Sequence, residues 1–375
     1  MPLSVVPPAW PPRLRNSIAE MWFNAPVCCG VRGTSEPDEV EEILRLVDVD
    51  PAGALARAKD VGRRARATAD FRTVARAERV AGLASFHHAG VAQAVIHLRT
   101  SMQVARQVGA SDLEGLARMT LAGALSYQGK ASSALSHIDR ALDLLEGADR
   151  LTAAGQKALI LWNCGRVAAA LEAYGVALEA LRAAGDQIGT YTLLVNRGAA
   201  LLDRLDLDAA ERDLSEAAEL ADALGDHLSA AYARANSGWV HLLRGDVPRA
   251  LAVLARAEST LRGASAHVAE IVSMRADILL TVRLLKEAAD AAREAMRAFA
   301  DEGRTQGAVF SGLALAQIAA LEARTQSGQW AVAARLARTS ARSFKRMGRA
   351  DQQALSRLLE LQALARIPER RRTVR

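Results

Sequence analysis

Between residues 235 and 257, ANSGWVHLLRGDVPRALAVLARA, the apolar side chains Trp239, Leu242, Leu243, Leu251, Leu254 and Ala257 recur at spacings of three and four. That spacing marks one face of a helix with 3.6 residues per turn. Gly245 and Asp246 break the pattern, so the stretch predicts two short amphipathic helices joined by a turn. Gly238 and Ala250 are small where two helical backbones would cross closely. Runs of β-branched or aromatic residues long enough for a strand are scarce along the chain, whereas alanine and leucine, the strongest helix formers, are abundant.

The same pattern returns along the chain, and a period of this length is the signature of stacked repeats. An alanine of the second helix appears as Ala94, Ala134, Ala170, Ala210, Ala250, Ala288 and Ala333, at intervals of 40, 36, 40, 40, 38 and 45. Four residues later stand Leu98, Ile138, Tyr174, Leu214, Leu254, Ala292 and Ala337, and three further on Ser101, Ala141, Ala177, Ala217, Ala257, Ala295 and Ser340. Twelve residues before the first six alanines another small residue recurs: Gly82, Ala122, Ala158, Gly198, Gly238 and Ala276. Leu321 stands at that distance in the last pair. Glycine marks the turn between helices at Gly129, Gly165, Gly245 and Gly328, while positions 205 and 283 carry Leu and Arg instead.

A second series has the same period. Gly109, Gly147, Gly185, Gly225, Gly263, Gly303 and Gly348 follow the second helix of each pair, where a residue with positive φ ends a helix. Asp112, Asp149, Asp186 and Asp226 come soon after, suited to capping the next helix. Both series predict seven helix pairs in an all-α solenoid, a right-handed superhelix of hairpins. The expected organisation is a disordered proline-rich extension over 1–36, a helical pair over 37–72, the repeat array over 73–348, a capping helix over 349–366 and a basic tail over 367–375.

The small, large, small pattern of the second helix, with a small residue in the first, resembles the tetratricopeptide repeat, here with a period nearer 40 than 34. The runs LAGALSYQGKASSALSHIDRALDLL (121–145), NRGAALLDRLDLDAAERDLSEA (196–217), NSGWVHLLRGDVPRALAVLARAE (236–258) and MRADILLTVRLLKEAADAAREAM (274–296) also resemble the N-terminal repeat region of actinobacterial CHAT proteins, in which helical repeats precede a caspase-like peptidase domain. The segment 343–366 is similar to the stretch that leads into the catalytic half of that family. The sequence stops nine residues later, so the resemblance implies a regulatory piece docking on a separately encoded peptidase domain and carries over no peptidase activity.

Composition and charge narrow the function. Half of the 375 residues are hydrophobic and 4% are aromatic, which suits a large alanine and leucine core. The net charge of +6 invites a nucleic-acid reading, but the last ten residues carry +4 and residues 1–36 carry +1, which leaves about +1 for the 329 residues between. A body so balanced offers no phosphate-tracking stripe, and no nucleic-acid partner is expected. No apolar segment is long enough to span a membrane and no signal-peptide block opens the chain, so a cytoplasmic location is expected. Cys28, Cys29 and Cys164 are too few for a disulfide framework or a four-cysteine zinc site.

Candidate catalytic groups are sparse. His87, His88, His97, His137, His227, His241 and His267 are scattered, and no spacing pairs one of them with Cys164 as a dyad. Walker, zinc-ligand and G-x-S-x-G motifs are missing, so the sequence predicts neither an enzyme nor a metal or other cofactor. A binding role remains, because stacked hairpins expose the first helix of each pair on a concave face. Two residues before the small position stand Thr120, Gln156, Asn196 and Asn236, four hydrogen-bonding side chains at equivalent places. Beside them an apolar stripe includes Trp162, Leu202, Trp239 and Leu242, with the tryptophans as expected anchors. The predicted function is a scaffold whose groove holds a peptide or a segment of a partner protein.

Overall fold

The computed structural model describes residues 38–47, 50–88, 90–264, 268–302, 304–325 and 329–367. The expected extension over 1–36, with Cys28 and Cys29, lies outside them, as do His267, Gly303, Gly328 and residues 368–375. Among the described residues there are seventeen α-helices and no strand. In chain order they are α1 (Glu39–Leu46), α2 (Pro51–Ala67), α3 (Phe71–His88), α4 (Val91–Gln107), α5 (Ser111–Tyr127), α6 (Ala131–Leu144), α7 (Gly147–Asn163), α8 (Val167–Ala183) and α9 (Gln187–Asp203). They continue as α10 (Leu207–Ala223), α11 (His227–Leu243), α12 (Val247–Gly263), α13 (Ala269–Thr281), α14 (Leu285–Asp301), α15 (Thr305–Glu322), α16 (Gln329–Met347) and α17 (Ala350–Leu364).

Each helix packs on its chain neighbours, so α3 with α4 through α15 with α16 form seven antiparallel hairpins. We call their odd-numbered members A helices and the even-numbered ones B helices. Each A helix also touches the next A helix, and successive B helices stay farther apart. A row that is closer on one side bends toward that side, which places the A helices on the inner wall of an α-solenoid. All seven B-helix alanines, from Ala94 to Ala333, are 0% exposed. Gly82 shows why the facing residue must be small: a Cβ there would lie 2.6 Å from Leu98 Cγ and 3.4 Å from the carbonyl oxygen of Ala94. The repeat therefore records close approach of backbones, which larger side chains would force apart.

The turn inside five of the hairpins, α5–α6 through α13–α14, is left-handed. Gly129, Gly165 and Gly245 have φ of 73°, 77° and 82°, and Leu205 and Arg283 hold the same turn at 59° and 67°. This conformation folds the chain back on the helix it ends: the Asp206 N–H donates to the Leu201 carbonyl at 3.1 Å and the Leu284 N–H to that of Leu279 at 3.0 Å. Asp186 and Asp226 cap their helices through bonds of 3.0 Å from the N–H groups of Gly189 and Ser229. Asp206 and Asp246 do the same for two B helices.

Three sequence expectations need correction. Asp112 and Asp149 are not caps; they stand in the first turns of α5 and α7, after Ala110 and Glu146. Gly263 is the last residue of α12 and is not among the glycines with positive φ. Leu321 does not replace the small residue of the last A helix. Ala316, 0% exposed, is the twelfth residue of α15, as Gly198 and Gly238 are of α9 and α11. Six residues separate α15 from α16 where three separate α9 from α10, so counting twelve back from Ala333 falls short of it.

The array bends until its last hairpin reaches the first two. Arg349, between α16 and α17, is 2% exposed, with its guanidinium 4.8 Å from the centroid of the Tyr127 ring and 5.5 Å from that of Phe310. Its Nε donates to Gln352 Oε1 at 3.2 Å. Edge-on aromatic pairs extend the contact on both sides, Phe86 with Tyr127 at 5.0 Å and Phe310 with Phe344 at 4.9 Å. A Cβ built on Gly90 would lie 3.8 Å from Met347 Cα, and α15 approaches α3 directly. The superhelix is thus closed on itself.

Candidate functional site

Closure changes what the inner wall offers. Of the predicted polar stripe, Thr120 is buried and donates from Oγ1 to the Leu116 carbonyl at 3.0 Å. Asn196 is 0% exposed, and neither of its amide atoms has a hydrogen-bond partner among the described residues. Asn236 is buried, with Nδ2 donating to the Tyr232 carbonyl at 3.0 Å and Oδ1 without a partner among the described residues. Gln156 alone is half-buried. In the apolar stripe Trp162, Leu202 and Trp239 are buried, and Leu242 is half-buried.

The expectation of an open stripe is therefore corrected: six of the eight residues lie inside the wall. Successive A helices meet along it. Trp162 Nε1 on α7 donates to Asp203 Oδ2 on α9 at 2.7 Å, and the Tyr191 hydroxyl on α9 donates to Ser229 Oγ on α11 at 3.0 Å. A side chain in the middle of such a wall faces the next helix. The tryptophans fill the core here, and Trp162 gains a hydrogen bond for its indole N–H, as a buried indole requires.

The inner wall does open near its start. A cavity of about 180 Å³ lies between α1, α3, α5 and α7. Val40, Leu44, Val80, Leu113 and Leu116 supply an apolar floor, and Glu41, Arg76, Arg79 and Asp149 bring charge to it. Val80 holds in α3 the place that Asn196 and Asn236 hold in α9 and α11, so the cavity belongs to the predicted wall. Arg76 Nη2 donates to Asp38 Oδ1 at 2.9 Å and is spoken for. Arg79 makes no hydrogen bond or ion pair with the described residues. Burial pushes the Asp149 carboxyl above its ordinary range against the pull of Arg79, and Asp112 adds to the push. A half-buried cation and an under-solvated carboxyl beside an apolar floor can recognise a segment that carries both an apolar side chain and charge.

Sequence reasoning missed Arg79 and Asp149, although Val80 was one residue away from drawing attention to the first. A signal existed: Arg76, Arg79 and Val80 share one helical face, three and four residues apart.

Other polar clusters offer less. Arg304 pairs with Glu270 and Glu302, and Glu302 accepts the N–H of Val268 at 3.2 Å, a set that ties α13 to α15. Cys164 is half-buried, and burial raises its thiol pKa against the pull of Arg166, opposite to what a nucleophile needs. Among the described residues no group of three His, Cys, Asp or Glu side chains could hold a metal ion, and no helix is long and apolar enough to cross a membrane.

No known family model and no curated protein is similar enough to match this chain. Solved structures do match. One is a Rap protein complexed with competence and sporulation factor, 14% identical, covering 88% of this chain and 98% of that one with a TM-score of 0.56. Another is aspartyl phosphate phosphatase F from Bacillus subtilis, 12% identical, covering 82% of this chain and 94% of that one with a TM-score of 0.50. At such identities the likeness shows the fold, a tetratricopeptide-like helical-repeat solenoid.

Proposed function

We propose that the chain is a non-catalytic protein-interaction scaffold, with residues 73–348 as its repeat body, which holds a segment of a partner protein against the inner wall. The observation that carries this reading is the cavity between α1, α3, α5 and α7, where Arg79, with no hydrogen bond or ion pair to the described residues, lies over an apolar floor. A segment with an acidic group beside a leucine-sized side chain would place its carboxylate on Arg79 and its apolar group on Val80, Leu113 and Leu116. Gln156 and Leu242, the half-buried members of the predicted stripe, extend the wall that such a segment could follow. The buried amides of Asn196 and Asn236 would reach an extended backbone only where neighbouring A helices part. The resemblance of the repeats to those of CHAT proteins makes a separately encoded peptidase domain one source of the segment.

The test is fluorescence anisotropy with a library of labelled acidic and apolar peptides, against the full chain and its Arg79→Gln variant. A hydrogen bond to a charged group contributes about 1.5–3 kcal/mol, so the tightest peptide should lose roughly tenfold or more in affinity. The denaturation midpoint should move little, because Arg79 makes no hydrogen bond or ion pair with the described residues and only its longer-range attraction to Asp149 is lost. Equal affinity for both chains would remove this cavity from the binding surface.

A further inference from the structure

The last helix carries apolar side chains on two sides, one packed and one in water. Its packed side carries Gln352, Ser356, Glu360 and Ala363, all buried, beside the half-buried Leu355, Leu359 and Leu364, which pack on the core. Glu360 accepts from Arg338 Nε at 2.6 Å and from Arg357 Nη1 at 2.7 Å. Its outer side carries Ala354, Leu358, Leu361 and Ala365, all exposed, with Leu358 at 52% and Leu361 at 58%. The outward face of a helix packed on a protein body is expected to be polar. Here two leucines face solvent on the side away from the packed leucines, so the helix carries more apolar surface than its own chain covers.

We infer that α17 is a self-association surface, and that its occupant is the α17 of a second copy of this chain, laid antiparallel. Three features select that occupant. The stripe is spaced four, three and four, so it reads the same from either end, and an antiparallel copy sets Leu358 on Leu361 and Ala354 on Ala365. The ends are complementary. Asp351, exposed and without a hydrogen bond or ion pair to the described residues, stands in the first turn, while Arg366 follows the last. An antiparallel pair brings each acidic end to a basic one. The opposite end of the array does not fit this stripe: the exposed residues of α2 include Arg57, Lys59, Arg63, Arg64 and Arg66. Head-to-tail stacking would bury charge against leucine, whereas tail-to-tail pairing is self-complementary and closes as a two-fold dimer.

Sedimentation velocity on the full chain tests this. One helix per copy makes a small interface, so the range to cover is about 1 to 100 µM. The chain is expected to pass from one copy to two across that range. Leu361→Glu should remain a single copy throughout with unchanged helicity and thermal midpoint, because Leu361 touches little within its own chain. Leu361→Ala should weaken pairing about tenfold, in line with a lost buried leucine contact. Asp351→Lys should also weaken it. A wild-type chain that stays single at the highest concentration would leave the stripe to another partner and overturn the proposal. A Leu361→Glu chain that still pairs as tightly would do the same. Pairing that Asp351→Lys leaves unchanged or tightens would rule out the antiparallel arrangement.

Discussion

Arg283 occupies a turn in which three other hairpins use glycine, and the consequence is calculable. Its φ is 67°, a left-handed conformation in which Cβ crowds the backbone. For a residue other than glycine this costs about 1–2 kcal/mol. The side chain offers little in return, since Arg283 is exposed and makes no ion pair with the described residues. Replacing it with glycine removes the crowding but loosens the unfolded chain, which gives back about 0.4–1 kcal/mol. Arg283→Gly should therefore stabilise the protein by about 0.5–1 kcal/mol. Arg283→Ala keeps Cβ and should gain nothing, so the difference between the two variants isolates the backbone effect from the lost side chain. The converse change, Gly245→Ala at φ 82°, should lose a similar amount. The assay is urea denaturation followed by circular dichroism, with midpoints compared at equal slope. If Arg283→Gly is no more stable than Arg283→Ala, crowding at Cβ does not determine the stability of these turns.

Two further outcomes are expected. Arg349→Ala removes the cation between Tyr127 and Phe310, a desolvated contact of about 2 kcal/mol, and should lower the thermal midpoint and enlarge the radius of gyration measured by small-angle scattering; an unchanged radius would mean that other contacts hold the ends together. Asp149→Asn should be more stable than the parent at neutral pH. The folded-state carboxyl titrates above its ordinary 3.8, so the fold favours the protonated form, and the stability this provides is present below pH 3.8 and lost as pH rises through the folded value. The variant's advantage should accordingly vanish in acid, as denaturation midpoints across the pH range would show.

The fold was legible because it is written in small residues. Ala94, Ala134, Ala170, Ala210, Ala250, Ala288 and Ala333 mark where B helices press on A helices, and such contacts join residues close in sequence. Where the spacing changed, the reading slipped: a longer turn after α15 moved the expected small position to Leu321 and away from Ala316. The wall was harder to read. The side of the A helices that bears Asn196 and Trp239 follows from the period, but whether that side meets water or the next helix depends on curvature. Curvature is set by contacts such as that between Tyr127 and Arg349, which no local pattern announces. In α17 the spacing of the leucines does not tell which of them pack, Leu355, Leu359 and Leu364, and which face water, Leu358 and Leu361.

The meeting of the first hairpins with the last has a bearing on how this protein can vary. In an open stack of hairpins a unit can be inserted or deleted and the remainder merely shifts along. Here Arg349 must arrive between Tyr127 and Phe310, and each hairpin turns the chain through a fixed angle on the way. One hairpin more or fewer would bring the two ends past each other at the wrong height. The number of units in this molecule is thus dictated by geometry, as the number of staves is dictated in a barrel.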